Sequence, residues 1–248
     1  MLSRAQIKYI HSLRLKKYRQ QYCRFTAEGA KVVDELLKGH HIRIDSLFAT
    51  EEWLEGNMSL ERLNPKMSIK LVSEQELKQI SNLDTPQAVF AIGELPSVHQ
   101  LPKLSGRISL ALETIQDPGN LGTIIRIADW FGIENVICSP DCADAFSPKT
   151  VQSTMGSIAR IRITEVSLDE VLEKMKDIST YAATLNGNDI REFSKIKEGI
   201  ILIGNEGHGL SEKIMQMATH RITIPRLGKA ESLNAAVATG VICGRLML

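Results

Sequence analysis

The sequence predicts an α/β protein in two parts: a small N-terminal α/β domain, then a larger C-terminal parallel sheet flanked by helices. Three observations lead there. In the second half, apolar runs of strand length alternate with helical stretches. That rhythm is preceded by LPSVHQLPKLSGR at residues 95–107, which gathers two prolines, two serines and a glycine. The chain has 248 residues, 43% hydrophobic and 24% charged, enough to bury one large core or two modest ones. We place the domains at residues 1–95 and 108–248, with a linker at 96–107.

In the first half, residues 3–19 read as a helix, and 28–38 (EGAKVVDELLK) as an amphipathic helix closed by Gly39. Residues 42–49 alternate as a strand. A short strand at 69–72 precedes a helix with a capping box of Ser73 and Glu76. Residues 88–93 form a further strand.

In the second half, strands fall at 108–112, 135–138, 161–164, 180–184, 200–204 and 221–224. Helices fall at 121–131, 168–176 (with a capping box of Ser167 and Glu170), 211–218 and 233–247. Ligands of such sheets bind beyond the carboxyl ends of the strands.

The net charge of +1 conceals an asymmetry. Residues 1–25 carry seven of the 30 basic residues and none of the 29 acidic ones, so the rest of the chain is net acidic. Tyr9, Tyr18, Tyr22 and Phe25 are interleaved with these cations, a combination suited to phosphate attraction and base stacking, or simply a solvated basic helix. No apolar run approaches the roughly 20 residues of a membrane helix, and the basic N-terminus leads into no apolar stretch of a secretory signal. Cys23, Cys138, Cys142 and Cys243 are scattered and read as free thiols. No second Cys or His pair stands where it would complete a metal site.

Three loops have compositions that packing alone does not demand. The first is Asp117-Pro-Gly-Asn-Leu-Gly122, with Asn120 placed to cap the next helix. On that helix Ile124, Ile127, Ala128 and Phe131 share a core face, and Arg126 lies opposite, toward solvent or a polar site. The second is Gly204-Asn-Glu-Gly-His-Gly209, which is neither a dinucleotide fingerprint nor a P-loop; it can wrap a ligand or merely turn the chain. The third is Ile224-Pro-Arg-Leu-Gly-Lys-Ala-Glu-Ser-Leu-Asn234, where Ser232 suits an N-cap. In the last helix Ala236, Gly240 and Gly244 recur every four residues, so another helix can approach closely, within the subunit or from a partner.

The segments DPGNLGTIIRIADWFGIENVI, LIGNEGHGLS and IPRLGKAESLNAAVATG, in that order, resemble the SpoU (TrmH-type) family of RNA ribose 2′-O-methyltransferases. KKYRQQYCRFTAEGAKVVDELL and TPQAVFAIGEL resemble the substrate-binding domain often attached to them. The resemblance implies a C-terminal trefoil knot, a homodimer formed through the C-terminal domain, S-adenosylmethionine as cofactor and a cytoplasmic enzyme acting on RNA. It implies cofactor binding by Leu185, Gly204, Ile224, Leu233 and Asn234, and reaction around Asn120, Arg126, Glu206, Ser232 and Asn234. Family mechanisms cast the residue matching Arg126 as the base; a guanidinium that stays protonated is equally suited to hold a phosphate. The N-terminal domain and its basic arm favour ribosomal RNA as substrate; transfer RNA, or a non-catalytic ribosome-assembly factor on the same fold, are the alternatives. The third loop departs from the family in carrying Arg226 where Met is commoner.

Overall fold

The computed structural model describes residues 1–39, 41–57, 67–96, 101 and 103–248; linker positions 97–100 and 102 lie outside the described residues. The chain forms two compact units, Met1–Ser97 with Asp144–Arg160, and Val98–Ala143 with Ile161–Leu248. Residues 144–160 thus belong to the first unit in space although they follow the start of the second in sequence.

The first unit carries a mixed four-stranded sheet of β1 (Arg24–Glu28), β2 (Ile44–Ala49), β3 (Ser68–Leu71) and β4 (Val89–Glu94), in the order β1-β4-β2-β3. β4 runs antiparallel to both its neighbours, and β3 is parallel to β2. Leu13, Phe48, Ile80, Phe90 and Ile92 are among the side chains that close the core over it. The capping box of Ser73 and Glu76 is present.

The helix expected over 3–19 is two helices, Arg4–Ser12 and Lys16–Tyr22. The break leaves the carbonyls of Leu13 and Arg14 without helical partners, and the Arg19 guanidinium takes both at 2.7 and 2.8 Å. Arg19 is only 3% exposed and reaches on to Asp144 at 2.5 Å. It is therefore not a cation offered to solvent, as the count of basic residues had suggested. Strand β1 was not expected, because RFTAE shows no clear alternation. It forms on β4, and the buried Glu28 carboxylate at its end accepts hydrogen bonds from Ser81 Oγ and Asn82 N.

The second unit is a fully parallel sheet of β5 (Ile108–Leu112), β6 (Asn135–Cys138), β7 (Arg162–Glu165), β8 (Thr180–Asp189), β9 (Gly199–Ile203) and β10 (His220–Thr223), in the order β10-β8-β9-β5-β6-β7. β9 is buried at all five positions, as expected of a strand covered on both faces. Leu168, Val171, Leu172 and Ile214 pack one face, and the helix Pro118–Trp130 buries Leu121, Ile124, Ile125 and Ala128. The box expected of Ser167 and Glu170 is absent; the Ser167 hydroxyl bonds Asp169 instead. Helix Ala235–Met247 packs on Pro118–Trp130. Its Gly240 and Gly244 look toward Ile127 and Phe131, so the small-residue ladder is taken up within the subunit.

β8 runs five residues beyond the strand expected at 180–184. It pairs β10 twice: Tyr181 and Ala182 against His220 and Arg221, then Asn188 and Asp189 against Ile222 and Thr223. Residues 183–187 loop out between the two stretches. The Thr223 hydroxyl closes the loop, accepting from Gly187 N at 2.6 Å and donating to the Thr184 carbonyl at 2.7 Å. At Gly187 a Cβ would stand 2.6 Å from the Arg221 carbonyl carbon, so only glycine lets the two chains pass this closely.

Candidate active site

All six strands of the second unit point the same way, so the segments following them emerge along one edge of the sheet. Side by side there lie the loop 183–187 of β8, Gly204 after β9, Ile224 after β10, Glu113 and Thr114 after β5, and Ser139 and Asp141 after β6. Sequence alone could list these loops. The strand order makes them neighbours.

Hydrogen bonds tie three of the expected residues together. Asn120 Nδ2 donates to Glu206 Oε1 at 2.5 Å, and Asn234 Nδ2 donates to Asn120 Oδ1 at 2.9 Å. Asn120 thus spends its donor and its acceptor on two different loops, 86 and 114 residues away. It is not the N-cap expected. Asp117 caps the helix by accepting from Asn120 N at 2.8 Å, with Pro118 as the first helical residue, which leaves the Asn120 side chain free for these contacts. Nor is Ser232 a cap. Helix Ala235–Met247 starts three residues later, capped by Asn234 Oδ1, which accepts from Ala236 N and Val237 N.

The glycine loop is shaped from within. Asn205 and Gly209 exchange backbone hydrogen bonds at 3.1 and 2.8 Å, while Asn205 Oδ1 accepts from Gly207 N and His208 N. A Cβ on Gly204 would fall 2.2 Å from the Gly209 carbonyl carbon, so no other residue fits that close approach. Half-buried Glu206 is held at the turn of this loop.

The remaining expected residues do not join the cluster. Arg126 is exposed and makes no hydrogen bond or ion pair with the described residues. It lies about 9 Å further along the helix axis than Asn120. Ser232 and Leu233 are exposed beside Asn234, Ile224 is half-buried, and Leu185 stands 63% exposed on the β8 loop.

Four residues with a part in this edge escaped the sequence reading. Glu113 grips the other end of the glycine loop, its carboxylate accepting from Ser211 N and Ser211 Oγ, both at 2.7 Å. Thr114, Ser139 and Asp141 form a second cluster: Thr114 N donates to Ser139 Oγ at 2.9 Å, and Asp141 accepts from both hydroxyls at 2.5 Å. These bonds hold the Asp141 carboxyl below its usual range, the Ser139 one most strongly. No periodicity marks such residues, since their partners are remote in sequence.

All four cysteines are free thiols. Cys142 Sγ sits between the Leu112 carbonyl and Ile115 N, at 3.4 and 3.3 Å. A hydrogen bond from Cys138 draws the Cys142 thiol down to about 7, and the same contact, with burial, pushes Cys138 well up.

Residues 107–244 match the SpoU rRNA Methylase family, and residues 4–91 match the MRM3-like substrate binding domain. The chain is 31% identical over 234 residues to the 23S rRNA (guanosine(2553)-2′-O)-methyltransferase RlmP of Bacillus subtilis (strain 168), covering 93% of this chain and 91% of that one. A putative RNA methyltransferase of the TrmH family from Porphyromonas gingivalis superposes with a TM-score of 0.87 at 36% identity, covering 100% and 98% of the two chains. An AdoMet-bound rRNA methyltransferase from Sinorhizobium meliloti gives a TM-score of 0.87 at 31% identity over 99% and 95%. With strand order, loops and polar cluster all falling where these matches run, the chain belongs to the SpoU rRNA methylase family.

Proposed function

We propose that this protein transfers a methyl group from S-adenosylmethionine to a ribose 2′-hydroxyl of ribosomal RNA. The observation that carries the reading is the Asn120–Glu206–Asn234 cluster, which joins all three loops at the carboxyl edge of the sheet. A solvated surface has no need to bring these loops together.

The residues present suit the cofactor. A flat apolar adenine with hydrogen-bonding edges fits backbone groups at Gly204, Ile224 and Leu233 flanked by the exposed side chains of Leu185 and Leu233. When bound, S-adenosylmethionine supplies an electrophilic methyl. The chain's own residues align the acceptor: Asn120 and Asn234 fix the ribose side, and Glu206 fixes the loop between them. Arg126 has no partner among the described residues and takes the neighbouring phosphate as a bidentate anchor. A guanidinium offers N–H donors and no acceptor, so a phosphate oxygen or water receives the hydroxyl proton.

Three further features complete the reading. The C-terminal segment is knotted, which accords with the double pairing of β8 with β10 around residues 183–187. Two copies associate through the packed helices Pro118–Trp130 and Ala235–Met247, which expose Trp130 (84%), Val237 and Val241. The first unit binds RNA, and the enzyme works in the cytoplasm. Among the described residues no helix is long and apolar enough to cross a membrane.

The test is a nucleotide-by-nucleotide map of 2′-O-methyls in RNA from cells with and without the protein. One ribosomal position should lose its methyl. Loss only in transfer RNA overturns the substrate. No loss anywhere, with no calorimetric binding of S-adenosylmethionine, favours the non-catalytic assembly factor.

A further inference from the structure

Thr114 has φ of +57°, a left-handed conformation that a β-branched residue adopts at real cost. Every polar group of this residue is engaged by a remote part of the second unit. Its N–H goes to Ser139 Oγ at 2.9 Å, and its hydroxyl to Asp141 Oδ2 at 2.5 Å. Its carbonyl accepts from Asn205 Nδ2 at 3.0 Å. Asn205 is the residue whose side-chain oxygen shapes the turn holding Glu206. The connection therefore runs from Asp141, through a strained backbone, to the loop that meets Asn120.

We infer that Asp141 is a positioning residue: by holding Thr114 left-handed it aims the Thr114 carbonyl at Asn205 and so sets where Glu206 stands. The direction of causation follows from what each group can do alone. Asn205 finds two backbone donors within its own loop, so its oxygen needs no help. Among the described residues its side-chain nitrogen has one acceptor, the Thr114 carbonyl, whose orientation depends on a backbone angle that Thr does not choose by itself. The Asp141 carboxylate supplies the restraint by gripping both Thr114 and the Ser139 that holds the Thr114 N–H. This role rests on the methyltransferase reading for its effect on turnover, but not for its effect on geometry.

The experiment compares Asp141→Ala with the double variant Asp141→Ala/Thr114→Gly in the full-length protein. Glycine takes positive φ without assistance and keeps the carbonyl, so it replaces what Asp141 does. Asp141→Ala should lower kcat about tenfold or more, with KM for RNA within about twofold, because misplacement affects alignment more than binding. The double variant should recover most of that loss. Asp141→Asn, which keeps one acceptor oxygen and the same shape, should fall between and guards against a failure of the alanine variant to fold. In parallel, the side-chain NH2 resonances of 15N-labelled Asn205 should shift and exchange faster in Asp141→Ala, and return in the double variant. Full kcat in Asp141→Ala and Asp141→Asn, or a double variant as slow as the single one, overturns the proposal. If wild type methylates no RNA, the methyltransferase reading fails; an unaltered Asn205 signal in Asp141→Ala would be the failure of the positioning role.

Discussion

Asn120 donates its amide hydrogen to Glu206 and accepts at its carbonyl oxygen from Asn234, so one side chain on the first turn of a helix spans two loops from distant parts of the chain. Asn120→Ala removes both bonds at once and leaves Glu206 without that donor. Turnover should drop at least about 100-fold, with melting changed by only a few degrees, since each lost bond is worth about 1 kcal/mol to stability. Single-turnover methylation and thermal melting check the two halves.

Asn234 has two tasks, bonding Asn120 and capping the last helix through Oδ1. Asn234→Ala should cost about 1 kcal/mol of stability and also weaken turnover. Asn234→Asp keeps the capping oxygen and loses the donor to Asn120. It should restore stability but not rate, as seen in paired denaturation and activity measurements.

Arg126 is exposed and makes no hydrogen bond or ion pair among the described residues, whereas Arg19 is buried and donates to Asp144 and to the Leu13 and Arg14 carbonyls. Arg126→Ala should abolish methyl transfer while calorimetric binding of S-adenosylmethionine stays within about twofold, because the removed group anchors RNA and not cofactor. A variant methylating at near wild-type rate would refute that role.

Arg19→Ala should act in the opposite way. It strips the guanidinium that joins the Leu13 and Arg14 carbonyls to Asp144 within the first unit. The loss should be about 3 kcal/mol or more in denaturant unfolding, as for other broken buried pairs.

The cysteines should react in a set order with a small alkylating agent at pH 8, read by mass spectrometry. Exposed Cys23 goes first, then Cys142, whose thiol is lowered to about 7; Cys138 and Cys243, the latter pushed up to about 12 by burial, react last. A folded value below the ordinary 9.0 means that Cys142 adds stability fully above that pH and loses it as the pH falls through about 7. Cys142→Ser should erase this slope between about pH 7 and 9.

By itself the sequence determined the α/β class, the parallel second sheet and three of the residues that meet, since apolar period and loop composition are local properties of the chain. It also determined the capping box of Ser73 and Glu76, whose partners lie three residues apart. Tertiary structure decided what depended on distant partners. The break after Ser12 and the conversion of Arg19 from surface cation to buried strut needed Asp144, 125 residues away. The true helix starts at Pro118 and Ala235 are set by the caps Asp117 and Asn234, in place of the expected Asn120 and Ser232. Strand order set which loops became neighbours, and a left-handed Thr114, a β-branched residue poorly suited to that conformation, is held by Ser139 and Asp141 from the turn after the neighbouring strand. Hydrogen bonds between residues far apart in sequence leave no periodic trace, because nothing in the local chain requires them until the sheet has brought the ends of its strands together.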